Sequence, residues 1–135
     1  MAINFKVIVI DDDPITVWLH QFIVRQSELS KDPLAFLSGQ QALDYLDACD
    51  HGDKPFLLLL DINMPSMNGW EVVESIASRI YWENVFVVVV SSSIDSSDRK
   101  RANVYKQVID YLEKPIDALG LQRFKSAEWL RVQDK

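Results

Sequence analysis

The sequence predicts a three-layer α/β fold built on a five-stranded parallel sheet. Two observations predict it. Short, almost wholly apolar runs recur along the chain, and segments with helical apolar spacing separate them. Runs of that kind are strands buried on both faces, and strict strand–helix alternation joins parallel strands through crossover helices.

The elements follow in order. Val7-Ile8-Val9-Ile10 is a β-branched run and reads as the first strand. Asp11-Asp12-Asp13 stops it, with Asp13 as helix cap and Pro14 as the first helical residue. Ile15, Leu19, Phe22 and Ile23 then recur at amphipathic spacing and predict the buried face of the first helix. Pro33 to Leu37 is a weaker second strand. Ser38 caps the next helix with Gln41 at the capping-box position, and Ala42, Leu43 and Leu46 carry its apolar face. His51 to Pro55 is a loop, and Phe56 to Leu60 is the third strand, ending at Asp61.

A loop with Pro65 and Gly69 leads to a helix from about Trp70 to Ile80, with Val72, Val73, Ile76 and Ile80 in phase. Val85 to Val90, six residues of which five are valine, is the strongest strand signal. A polar fourth helix covers Ser96 to Lys106, a fifth strand Val108 to Leu112, and a last helix Asp117 to Val132. By analogy with flavodoxin-like (βα)5 sheets, the strand order is 2-1-3-4-5. All of residues 1–135 are assigned to one domain, with no output domain left over.

Composition narrows the function classes. Hydrophobic residues are 48% and charged residues 25%, as in globular domains. The net charge of −6 argues against non-specific nucleic-acid binding. The acidic excess lies in residues 1–94, while residues 95–135 are slightly basic. A lone cysteine, Cys49, excludes an internal disulfide. There is neither a signal-peptide pattern nor a membrane-length apolar run, so a cytoplasmic location away from membranes is expected.

Ligands of open parallel sheets gather at the carboxyl ends of the strands. Here the first strand ends in Asp11-Asp12, the third in Asp61 and the fourth in Ser91-Ser92, with Lys114 just past the fifth. In the 2-1-3-4-5 order the three aspartates converge. Converging carboxylates repel, and a hard divalent cation such as Mg²⁺ relieves the repulsion while leaving room for a phosphoryl group. An aspartate can itself be the nucleophile and form an aspartyl phosphate.

The segments Val7 to Asp13, Leu59 to Trp70 with its D-x-x-M-P-x-M-N-G pattern, Val89 to Ser92, and Tyr111 to Pro115 together resemble the response-regulator receiver domains of two-component signalling. The resemblance implies a stand-alone, CheY-like receiver. Asp61 matches the phosphoacceptor, Asp12 the direct Mg²⁺ ligand, and Asp11 a ligand acting through water. Asn63 would offer its backbone carbonyl to the metal. Lys114 matches the lysine that meets the phosphoryl group, and Pro115 a proline often preceded by a cis bond. Ser91 matches the switch hydroxyl, with Ser92 as the alternative, and Tyr111 matches the switch aromatic.

The implied function is a phosphorylation-dependent switch in a phosphorelay. It catalyses only its own phosphorylation and dephosphorylation, with a histidine kinase or histidine phosphotransfer protein as donor. The signal would alter the face formed by the fourth helix, fifth strand and fifth helix, where Arg99-Lys100-Arg101 is a candidate partner surface for a downstream protein. Lys106-Gln107 stands where many receivers carry Gly-Ala, which puts the loop before the fifth strand in question. Two rivals remain. Asp11-x-Asp13 also resembles the opening motif of haloacid dehalogenase-type phosphohydrolases, and a degenerate receiver would act only as a protein-interaction module. His20 and His51 are expected at the surface, and the four tryptophans are expected to serve packing.

Overall fold

The structure, a computed structural model, describes residues 5–50 and 54–126. The expectations for His51, Trp129 and residues 127–132 of the last helix lie outside these residues; within them the last α-helix ends at Leu121, short of the expected span, and passes into a 3-10 turn over Gln122–Phe124.

Five strands, β1 (Lys6–Ile10), β2 (Leu34–Phe36), β3 (Phe56–Asp61), β4 (Val85–Ser91) and β5 (Val108–Glu113), form one sheet in the order β2-β1-β3-β4-β5. All pairings are parallel. The helices are α1 (Pro14–Gln26), α2 (Gly39–Ala48), α3 (Gly69–Ala77), α4 (Ser96–Val104) and α5 (Ala118–Leu121). This is the flavodoxin-like arrangement expected from the sequence.

Alternation along the strands divides the core in two. Ile8, Ile10, Leu58, Leu60, Val87 and Val89 meet Leu43 and Leu46 of α2 and Val72, Val73 and Ile76 of α3. Val7, Val9, Leu57, Leu59, Val88 and Val90 face Val17 and Val24 of α1, with Leu121 and Phe124 beyond. Every residue of β3 and β4 is buried, which explains why their sequences show no polar alternation.

The helix starts are fixed by side-chain caps. Asp13 accepts from Ile15 N, and Ser38 accepts from Gln41 N. Gln41 does not close a full box, because its carboxamide accepts from Leu37 N. Full capping boxes occur instead at Asn68–Glu71 and Asp95–Asp98.

Four further expectations are corrected. The buried row of α1 is Val17, His20 and Val24, whereas Ile15, Trp18 and Phe22 are exposed. That helix carries two apolar rows, and spacing alone chose the wrong one. His20, expected at the surface, is only 2% exposed, and Trp18 stacks on Phe22 in solvent rather than packing inside. Finally, α3 stops at Ala77, and Ile80 is fully outside. Arg79 and Tyr81 both turn to Asp47 of α2, with Arg79 binding both carboxylate oxygens. These long-range bonds draw the chain off the helical path.

The unusual Lys106-Gln107 pair has a local consequence. Gln107 is buried, and its carboxamide donates to Val73 O of α3 at 3.1 Å. The β4–β5 register shifts between Val87 and Val88, then runs regularly to Ser91 opposite Glu113. The irregularity is absorbed before the strand ends are reached.

Candidate functional site

The carboxyl ends of β1, β3, β4 and β5 carry polar residues that meet at one point. Asp61 is the last residue of β3 and is 3% exposed; Asp11 follows β1 and is 2% exposed. Asp12 is exposed at the rim. One carboxylate oxygen from each of Asp11, Asp12 and Asp61 lies within 4.8 Å of the others. The neighbouring β1 and β3 strands hold Asp11 and Asp61 side by side, so the juxtaposition is a product of strand order.

Lys114 follows β5, whose end is held to β4 by Lys114 N donating to Ser91 O at 2.8 Å. Its Nζ lies 2.7 Å from Asp11 Oδ2 and 3.4 Å from Asp61 Oδ2. Asp11 Oδ2 is buried, and its contact with this ammonium is a charge pair. The Lys114–Pro115 peptide bond is cis.

Burial pushes the Asp61 carboxyl above the usual carboxylate range. The Asn63 N–H, donating to Oδ1 at 2.9 Å, opposes this; the charge of Asp11 adds to it, and Lys114 opposes it again. Burial works against the charge of Lys114, but the two carboxylates outweigh it and hold the ammonium above its usual range. The group is thus a partly neutralised acidic cluster with one cation and three carboxylates. The donor set suits a hard divalent cation, which would meet oxygens only and relieve a real charge imbalance.

Ser91 ends β4 and is fully buried, while Ser92 is exposed. The Ser91 hydroxyl donates to Ser93 O at 3.0 Å and accepts from Asn63 Nδ2 at 3.0 Å. The Asn63 side chain thus reaches the site, whereas the sequence points to its carbonyl alone. The two residues are 28 positions apart, so no local pattern could have linked them. Tyr111 sits on β5, half-buried, with Arg99 of α4 over its ring. Asp13 stands apart from the cluster: its carboxylate accepts from Ile15 N and from the Thr16 hydroxyl.

The family model of the response regulator receiver domain matches residues 7–123. The chain belongs to that family. Among relatives, the chemotaxis protein CheV2 of Helicobacter pylori is 33% identical over 69 residues, covering 51% of this chain and 22% of its own length. The DNA-binding transcriptional regulator NtrC of Proteus hauseri is 34% identical over 111 residues, 81% of this chain and 21% of the relative. The receiver thus spans about a fifth of these two curated relatives. Among solved structures, a two component response regulator from Cytophaga hutchinsonii is 29% identical with a TM-score of 0.81, covering 98% of this chain and 99% of that one. A response regulator receiver protein from Dyadobacter fermentans, 24% identical, superposes with a TM-score of 0.82 over 93% of this chain and 98% of its own, and shares the fold. Among the described residues of this receiver, no helix is long and apolar enough to cross a membrane.

Proposed function

We propose that this receiver is a phosphorylation-dependent signalling switch whose acceptor is Asp61. The observation that carries this reading is the convergence of Asp11, Asp12 and Asp61 with the Lys114 ammonium at the strand ends. A carboxylate oxygen of Asp61 attacks the phosphorus of a phosphohistidine on a histidine kinase or histidine phosphotransfer protein. The new O–P bond forms as the P–N bond breaks, and the imidazole nitrogen keeps the electron pair.

Asp12, Asp61 and the Asn63 backbone carbonyl would hold Mg²⁺, with Asp11 alongside. When bound, the ion supplies positive charge against the phosphoryl oxygens. Lys114 supplies a second cation and is already inside the cluster. Burial and the neighbouring carboxylate make the Asp61 charge costly, which favours transfer of the negative charge onto a group that metal and lysine can share.

Ser91 is the better candidate for the switch hydroxyl than Ser92, because it is buried beside Asn63 while Ser92 faces solvent. To meet a phosphoryl oxygen, its proton must leave Ser93 O. Tyr111 then turns toward the space Ser91 vacates, and the α4–β5–α5 face changes for a downstream protein. The exposed row Ile15, Trp18 and Phe22 on α1 begins beside the cluster and offers the phosphodonor an apolar seat. The capping duty of Asp13 speaks against the phosphohydrolase reading, which needs that carboxylate at the reacting centre.

The test is intact mass after incubation with Mg²⁺ and acetyl phosphate. One phosphoryl group should be gained and then lost to hydroxylamine. An Asp61→Asn variant that gains the same adduct at the same rate removes the assignment.

A further inference from the structure

The fourth helix is attached to the body in an unusual way. Of its nine residues, Ser96–Val104, only Ala102 is buried. A helix with so little apolar contact needs other tethers, since helical stability in proteins comes mainly from packing. Two tethers are visible, and both are arginine–aromatic contacts. Arg101 lies 5.1 Å from the centroid of the Trp70 ring, and that ring stacks on Tyr105 at 6.4 Å. Trp70 is buried at the start of α3, so this end of α4 has a fixed anchor.

The other tether is different. Arg99 lies 5.0 Å from the centroid of the Tyr111 ring, and its Nη1 donates to the Tyr111 hydroxyl at 3.4 Å. The Tyr111 ring is half-buried against the core, with its outer side covered by the guanidinium. Guanidinium over an aromatic face is attractive because the ring presents negative potential there. Arg99 therefore stabilises the position that Tyr111 holds here, half-exposed beneath the guanidinium.

We infer that Arg99 is a positioning residue that latches Tyr111 outward and so biases the receiver toward its resting state. This rests on the switch proposed above, and it adds a chain-specific element that sets the resting equilibrium. The latch must be released before Tyr111 can turn inward. Release also frees the first turns of α4, while Arg101 on Trp70 keeps the far end anchored. The balance follows from linkage: whatever favours the resting state weakens, by the same factor, any ligand that binds only the active state.

The sign of the effect separates this idea from simple electrostatics. Arg99 is a cation, and the site proposed above takes an anionic phosphoryl group. If it acted through charge alone, removing it would weaken binding of an anionic phosphoryl mimic. If it acts as a latch, removing it strengthens binding.

The probe is beryllofluoride, which stands in for the phosphoryl group, bound to the whole chain at saturating Mg²⁺ and followed by fluorine NMR. Arg99→Ala should raise its affinity roughly two- to fivefold, the ratio expected from an exposed cation–π contact. Arg99→Lys, which keeps a cation over the ring, should stay nearer the parent. In a Tyr111→Ala background, Arg99→Ala should have no effect, because the ring is already gone. An unchanged or weaker affinity in Arg99→Ala overturns the latch. A strengthening that persists without Tyr111 overturns it equally. Failure of the parent protein to bind beryllofluoride at all would instead bring down the receiver switch itself, and the latch with it.

Discussion

Replacing Gly69 by alanine tests how closely the start of α3 is seated against the strand end that carries Asp61. A Cβ at this position would lie 2.7 Å from the Asp61 carbonyl oxygen, 2.7 Å from Ile62 Cα and 2.8 Å from Ile62 Cγ2. Comfortable contacts between such atoms begin near about 3.5 Å. Two of the three are backbone atoms in a segment buried on all sides, so no side chain can swing away. Overpacking of this type costs about 1–3 kcal/mol. Against it stands the preference of helices for alanine over glycine, at most about 1 kcal/mol. With the full offset the net cost is up to about 2 kcal/mol.

With a urea dependence of roughly 2 kcal/mol/M, the unfolding midpoint should fall by up to about 1 M. The bond from Gly69 N to Ile62 O, 3.2 Å here, stretches in the same movement, and Asp61 shifts with it. Phosphorylation by acetyl phosphate should therefore slow as stability falls. Gly120→Ala is the milder case: its Cβ would meet Asp117 Oδ1, the α5 cap that accepts from Gly120 N, at 3.1 Å and Leu112 Cδ2 at 3.9 Å, with no backbone atom in the way. That variant should lose no more than the worth of the cap, about 1 kcal/mol. If Gly69→Ala matched or exceeded the parent midpoint, the reasoning from close approach would be wrong.

Two further predictions concern charge. Asp12→Ala removes an exposed carboxylate from the cluster and should weaken Mg²⁺ roughly tenfold or more, read by titrating tryptophan fluorescence; an unchanged midpoint would exclude Asp12 as a ligand. His20 is buried, and burial holds its pKa below the usual 6.5, with Asp11 opposing and Lys114 assisting. Below pH 6.5 the unfolded chain takes up a proton that the folded chain resists, so His20 removes stability as pH falls through that value, by at most about 1.4 kcal/mol per pH unit. His20→Leu should flatten this part of the profile in urea unfolding between pH 7.5 and 5.5, and parallel profiles for the two proteins would contradict it.

The strands and their order were legible because buried parallel strands write themselves as unbroken apolar runs. The candidate site was legible for a related reason: Asp11, Asp61 and Ser91 each sit at the end of such a run, so the strand order alone brings them near one another. What stayed hidden depends on partners far away in sequence. Nothing local says that Asp47 would draw Arg79 and Tyr81 off the helical path, or that Asn63 would reach Ser91. The first helix misled for another reason. His20 is polar by type, yet it lies on the inward face between Val17 and Val24, while Trp18 and Phe22 form a second apolar row outside. Periodicity finds an apolar row but cannot say which of two rows meets the sheet.

The proposed acceptor lies in the stiff centre of the sheet, one strand removed from a soft edge. On one side, β3 and β4 are buried along their whole length and paired on both edges. On the other, β5 is the sheet edge, half-exposed over most of its residues, and α4 beside it is nearly bare of apolar contact. Extra charge at Asp61 cannot be relieved by moving β3, because every side chain there is packed and close-packed interiors resist displacement. The adjustment must come from groups with room: the Ser91 hydroxyl, which needs only to rotate, the Lys114 side chain, and the Tyr111 ring. Two of these three belong to the β5 side. Under the proposed switch, a perturbation made in the centre of the sheet would be passed to its loose edge, where few contacts have to break. Under the proposed switch, that asymmetry would give a direction to the signal, and Arg99, which lies over the Tyr111 ring at that edge, would be where a single contact sets how readily it passes.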